Sequence, residues 1–148
     1  MRAVLQRVSR AEVRAAGRVL GRIGPGFLVL LGVARGDTEA DAAFLADRIL
    51  GMRVFADGEG KMNLAIGKTG GAILAVSQFT LLADTEAGRR PSFNSAAPPD
   101  EARRLYEHFL SLLRARDVKV EQGEFGAAME VEIVNDGPVT ILLDSRNR

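Results

Sequence analysis

Apolar and polar residues alternate through the opening stretch, MRAVLQRVSRAEVR, with the two-residue period of a β-strand. Between residues 3 and 14 the odd positions carry Ala3, Leu5, Arg7, Ser9, Ala11 and Val13; the even positions carry Val4, Gln6, Val8, Arg10, Glu12 and Arg14. The odd face is the apolar one, so Arg7 is out of place on it. A second strand is expected over Arg18–Ile23, past a turn at Ala16-Gly17. GPGFLVLLGV then reads as a turn and a strand that is apolar on both faces, hence buried. Next the period lengthens. TEADAAFLADRILGMRV puts Ala42, Leu45, Ile49 and Met52 on one helical face, with Asp37 or Thr38 available as cap. RVFAD, a DGEGK turn, a short strand near Leu64, a GKTGG turn and AILAVSQFTL return to the β pattern. PPDEARRLYEHFLSLLRAR is a second helix, with Pro99 near its first turn and Ala102, Leu105, Phe109 and Leu112 on its buried stripe. Strands near residues 118–122, 129–134 and 139–143 close the chain. The last two flank NDGP, whose Asn135, Asp136 and Gly137 are good turn formers.

The order is strands, helix, strands, helix, strands. It predicts a single α+β domain over residues 1–148, with a largely antiparallel sheet, a barrel-like core and two main helices, rather than an alternating βαβ fold. No internal repeat or long linker divides it.

Composition narrows the chemistry. The 148 residues are enough for one real core, and the net charge is only +1. A nucleic-acid partner would therefore need a local basic patch. There is no Cys, which excludes disulfides, thiolate zinc sites and a cysteine nucleophile. The single histidine, His108, excludes a histidine-cluster metal site. The arginines of the first stretch do not suit a signal peptide, and FLVLLGV is too short to span a bilayer, so the expected setting is the cytosol.

Five motifs invite chemistry. GKTGG (residues 67–71) lacks the upstream glycine of a P-loop, Met62 standing there, and a strand-like segment follows it, so it reads as a glycine hairpin. His108 could belong to a Ser-His-Asp triad, but it falls mid-helix between Leu105 and Phe109, where packing explains it better. SQFTL puts Ser77, Gln78 and Thr80 at the end of a buried strand; a site and a strand fraying into a loop are both open there. AGRRPSF places Arg89 and Arg90 in a loop that is either simply solvated or phosphate-binding. Arg7 on an apolar face either snorkels outward from an edge or tethers a carbonyl-rich loop; a guanidinium buried without acceptors costs several kcal/mol. The glycine-proline loop is the obvious partner.

Taken together, SQFTLLAD, GRRPSF, the LYEHF helix and NDGPVT resemble the D-aminoacyl-tRNA deacylases, from the MRAVLQRV start to NDGPVTILLD. The resemblance implies a cytosolic homodimer without metal or cofactor. Such an enzyme hydrolyses the ester joining a D-amino acid, or mischarged glycine, to the terminal adenosine of tRNA. By the same resemblance, Gly137-Pro138 corresponds to a glycine–cis-proline motif that reaches into the partner subunit's pocket. Ser77, Gln78, Phe79 and Thr80 correspond to the opposite, catalytic wall. Arg7 corresponds to the arginine holding the glycine-proline loop. Met129 and Phe125 fall where pocket-lining residues are expected, and Arg89 and Arg90 in a loop that would touch RNA.

An aminoacyl ester is already activated, and needs a positioned nucleophile and donors for the developing oxyanion. The first mechanism is RNA-assisted: backbone N–H groups near Phe79 and Thr80 polarise the ester while the ribose 2′-hydroxyl helps activate water. The rival makes Thr80 a covalent nucleophile, weak without a base beside it. A non-catalytic RNA-binding module is the third reading. Near-neutral charge, one Tyr and no Trp argue against its stacking platform.

Overall fold

A computed structural model describes residues 1–148. Its elements run β1 (Arg2–Ala15), β2 (Arg18–Ile23), β3 (Gly26–Gly32), α1 (Glu39–Gly51), β4 (Phe55–Ala56), β5 (Met62–Leu64), β6 (Ala72–Ser77), α2 (Pro99–Arg114), β7 (Lys119–Gln122) and β8 (Glu130–Asp144), with 3₁₀ turns at Ile66–Lys68 and Phe79–Leu82. The single α+β domain with two main helices is the predicted one.

β1 is the strand around which the sheet is organised. On one side it pairs antiparallel with β8 over almost its whole length. On the other it pairs with β3 through Arg2–Val8 and with β2 through Ala11–Ala15. The sheet continues β3-β6-β7, and these two pairings are parallel, reached by crossovers that contain α1 and α2. The sheet is thus mixed as well as largely antiparallel. It curls until β2 meets β7: a Cβ on Gly21 would lie 3.0 Å from the Gln122 carbonyl oxygen. That near contact leaves the barrel almost closed.

The two faces of the sheet bury different sets. Phe27, Val29 and Leu31 of β3 join Leu5, Ile73 and both helices in the larger core, while Leu28 joins Val8, Val13, Ile23 and Leu74 inside the barrel. This two-sided burial is what the unbroken apolar run of β3 anticipates. In β1 the alternation slips once: Val8 is buried and Ser9 exposed, at two register shifts against β8, after which Ala11 and Val13 are inward again. α1 buries Ala42, Leu45, Ala46 and Ile49; Met52 is its C-cap, already extended and only half-buried. α2 buries Leu105, Phe109 and Leu113, four apart, together with Tyr106 and Leu110. Leu112, expected on the stripe, is half-buried because the 3.6-residue period carries the face to Leu113. Neither helix is long and apolar enough to cross a membrane.

Three local expectations change. GKTGG is not a hairpin but a 3₁₀ turn linking β5 to β6, strands that do not pair. AILAVSQFTL is strand only to Ser77. And NDGP does not reverse the chain: residues 130–144 form one strand, because both halves find the same partner, β1. Residues 7–9 of β1 stand opposite 135–139 of β8, so the motif is a two-residue bulge in a continuous strand.

Thr38, not Asp37, is the N-cap of α1, and Asp41 completes its capping box. The Asp41 carboxylate accepts from the Thr38 N–H at 2.8 Å and from Arg148 at 3.0 Å. Burial alone would raise its pKa, but hydrogen bonds from Thr38, Ser145 and Arg148 bring it down to about 2. A carboxylate whose folded pKa lies below the unfolded value of about 3.9 stabilises fully above that value, and loses its contribution as pH falls toward the folded one. Asp41→Asn should therefore cost about 1–2 kcal/mol near neutral pH, with the melting gap to the parent closing between about pH 4 and pH 2. Calorimetry across that window checks it; a gap independent of pH would show that the charge is not what stabilises the cap.

Candidate active site

β3 and β6 lie side by side and parallel, so their C-terminal ends open on the same edge, where ligand sites of parallel strands gather. The ladder persists one residue past β6, with the Gln78 N–H donating to the Leu31 carbonyl at 2.8 Å. Gln78 then leaves the extended region (φ −143°, ψ 78°) and Phe79–Leu82 wind into the 3₁₀ turn. The turn's first bond runs from the Leu81 N–H to the Gln78 carbonyl, at 3.2 Å. The N–H groups of Phe79 and Thr80 precede it and have no acceptor within the turn. The Gln78 side-chain amide donates to the Thr80 hydroxyl oxygen.

Gly32 lets this turn sit where it does. A Cβ there would lie 3.0 Å from the Gln78 carbonyl oxygen and 3.1 Å from Leu81 Cβ. Phe79, 55% exposed, packs edge-on against Phe93 with ring centroids 4.9 Å apart. That contact ties the turn to the arginine loop, whose base is closed by reciprocal Asp84–Ser92 backbone bonds of 2.8 Å. Arg89 and Arg90 are exposed on it and make no ion pair.

The turn borders a cavity of about 600 Å³ that brings together Ser77, Gln78, Phe79, Phe125 and Met129. Thr80 adjoins it without lining it. Behind the wall, the Tyr106 hydroxyl donates to the Ala75 carbonyl at 3.0 Å, and its ring lies 6.0 Å from that of Phe125. Burial pushes the Tyr106 phenol up to about 12, so it holds its proton at neutral pH. His108 is not among the lining residues, and neither is any carboxylate. A second cavity, of about 680 Å³ between Arg2, Phe44, Arg48, Leu81 and Leu142, holds none of the predicted residues. Chemistry rather than size marks the smaller one.

Arg7, Gly137 and Pro138 do not line that cavity. They form a separate unit on the β8 bulge. The Arg7 side chain is 14% exposed. Its Nε donates to the Asp136 carbonyl at 3.1 Å and one terminal nitrogen donates to the Val54 carbonyl at 2.6 Å; the Asp136 carboxylate lies 3.4 Å away. Gly137 has φ +130°, and a Cβ on it would lie 3.2 Å from the Arg7 guanidinium and 3.0 Å from the Val139 nitrogen. The Gly137-Pro138 peptide is cis, and both residues are exposed. Asn135, which reads in sequence only as a turn former, closes the bulge: its amide donates to the Arg7 carbonyl at 3.0 Å and the Val139 carbonyl at 3.1 Å. No local signal announces that role, since one of its acceptors lies 128 residues away.

A family model described as D-Tyr-tRNA(Tyr) deacylase matches residues 4–144. A protein named D-aminoacyl-tRNA deacylase from Anaeromyxobacter dehalogenans is 60% identical over 146 residues, 99% of this chain and 98% of that one. One of the same name from Dehalococcoides mccartyi is 59% identical over 148 residues, covering 100% of this chain and 97% of its own. Among solved structures, the c-Myc DNA Unwinding Element Binding Protein superposes with a TM-score of 0.92 at 42% identity, covering 97% of this chain and 98% of that one. A probable eukaryotic D-amino acid tRNA deacylase superposes at 0.79 over 96% of this chain and 97% of that one, and at 18% identity it shows the fold alone.

The dependence of the 78–82 turn on Gly32 can be measured directly. Gly32→Ala should overpack the junction, costing about 1–3 kcal/mol, while unfolding stays cooperative. Amide chemical shifts should move most over Gln78–Leu82. Unmoved shifts there would mean that the turn is not seated on Gly32.

Proposed function

This chain belongs to the D-Tyr-tRNA(Tyr) deacylase family and is a hydrolase of D-aminoacyl-tRNA; we propose that two copies build each working site, with the Gly137-Pro138 backbone as its chiral filter. The observation that carries this reading is the separation of the two units. The cavity holds the ester-handling edge, Ser77–Phe79, without the glycine-proline bulge, and the bulge stands exposed on a strand whose other edge is unpaired. The same strand exposes Val134 and Leu142, apolar surface suited to a second copy. In a two-fold isologous pair, each bulge enters the other copy's cavity.

In that site the ester carbonyl faces the N–H groups of Phe79 and Thr80, which stabilise the oxyanion as it develops. The lining of one copy's cavity offers neither histidine nor carboxylate as a general base. The ribose 2′-hydroxyl of the terminal adenosine assists water instead. Thr80 is a poor covalent nucleophile, since its oxygen already accepts from the Gln78 amide and no base adjoins it. Arg89 and Arg90 serve the phosphates of the tRNA further along.

The filter works by exclusion. The bulge carbonyls receive the α-ammonium group, fixing two substituents of the α-carbon with the ester carbonyl as the second. Of the two remaining directions, one is open and takes a D side chain or the hydrogen of glycine. The other points into main chain. A thousandfold rejection of L needs about 4 kcal/mol, within reach of a clash with a backbone held by Arg7 and Asn135.

The test is hydrolysis of D-, L- and glycyl esters on one tRNA, across salt to read Arg89 and Arg90, with a 2′-deoxy terminal adenosine as a further arm. The D and glycyl esters should turn over, the L ester should fall at least about a hundredfold behind, about 2.7 kcal/mol, and the deoxy substrate should lose most of its rate while Thr80→Ala keeps much of it. Equal D and L rates defeat the filter; a covalent adduct on Thr80 promotes the rival mechanism. Sedimentation at micromolar concentration should give twice 15.9 kDa. A fully active monomer would place the whole site within one copy.

A further inference from the structure

The cavity contains one charge that none of the steps above uses. Arg35 is the only ionisable residue among the 17 that line it. The residue follows the end of β3 and is pinned rather than free to swing. Its N–H donates to the Ser95 carbonyl at 2.9 Å, and its own carbonyl accepts from Arg146 at 2.8 Å. Its Nε donates to the Asn94 carbonyl at 2.7 Å. Its two neighbours in space, Ala34 and Ala96, form a β-bridge. No carboxylate pairs with it, whereas the nearby Asp37 is taken by the chain's amino terminus and Arg146. Arg35 is exposed, and with Nε occupied its terminal nitrogens remain as a donor pair suited to the oxygens of one anion.

The deacylase substrate carries two charges near its ester. The α-ammonium is positive and would be repelled by Arg35. The phosphodiester on the 5′ side of the terminal adenosine is negative. We infer that Arg35 binds that phosphate and so sets the depth to which the terminal nucleoside enters the cavity; this rests on the deacylase reading. A cavity of about 600 Å³ suits an aminoacyl nucleoside, leaving the phosphate at the rim. Arg35 is a substrate-binding residue here, acting on affinity rather than on the chemical step.

Three esters of one D-amino acid test it: the aminoacyl-tRNA, the aminoacyl adenosine 5′-phosphate and the aminoacyl adenosine without phosphate. Arg35→Gln should lower kcat/KM about tenfold more on the two phosphate-bearing esters than on the third, chiefly through KM. Arg35→Lys, which keeps the charge but not the fork, should recover part of that difference. On the tRNA, Arg35→Gln should flatten the log–log salt dependence of binding by about 0.7, the value for one phosphate of a single strand. An equal loss on all three esters would overturn the inference by making Arg35 a support for the Asn94 segment, and so would no loss on any. A loss confined to esters of D-Asp or D-Glu would overturn it too, by assigning Arg35 to the amino-acid side chain. A parent enzyme inert on all three would instead sink the deacylase reading beneath it.

Discussion

The Arg7 guanidinium ties the β8 bulge and the segment after α1 to β1. From the inward face of β1 it reaches the Asp136 carbonyl on the β8 bulge and the Val54 carbonyl beyond α1. A cation at 14% exposure is stable there because its donors are matched by carbonyls and a carboxylate. The arrangement reacts back on sequence. With the guanidinium 3.2 Å from where a Gly137 Cβ would stand, and φ at +130°, only glycine fits the bulge. Lysine could offer the charge at position 7 but not the planar fork that reaches two carbonyls in different directions. The bulge is therefore held by its backbone and by two side chains, Arg7 and Asn135.

The cavity is built on a second constraint of the same type. Gly32 ends β3 with no side chain, and the 78–82 turn, whose Phe79 lines the cavity, settles over it. The cavity edge and the bulge each hang on a glycine at the end or middle of a strand, and each glycine is demanded by a neighbour remote in sequence. Both units also lean on β1, which pairs with β8 on one side and with β3 on the other. A distortion of β1 would shift the bulge and the turn together.

This explains what could be read from the sequence and what could not. Element type follows local pattern, so the helices, the two-sided burial of β3 and the alternation of β1 were legible. Arg7 was legible as an anomaly because a guanidinium on an apolar face violates that pattern. NDGP was misread as a reversal because its composition is that of a turn; whether the chain reverses depends on β1 being long enough to pair with both halves of β8, which is not a local property. SQFTL was carried too far as strand for a related reason, since the strand ends where Gly32 lets the turn fold over. Asn135 and Arg35 had no signal at all. Their contacts are with carbonyls at positions 7 and 94, which come within reach only after folding.

The lining of the cavity fits selection by backbone rather than by side chain. Around Ser77 and Gln78 it is made of small and apolar groups, Ala96, Ala97, Pro98, Ala127 and Met129 among them, which offer few directional contacts to a substrate side chain. A site that gripped one D side chain would need placed polar partners, and would then penalise every analogue that left them unpaired. A site that only forbids one direction at the α-carbon has no such penalty. Its discrimination is the same for every L residue, because the clash falls at the first side-chain carbon, which all of them share and glycine lacks. On the proposed reading, breadth across D-amino acids and sharpness against L would both follow from a single feature, an excluding group made of main chain held by Arg7 and Asn135.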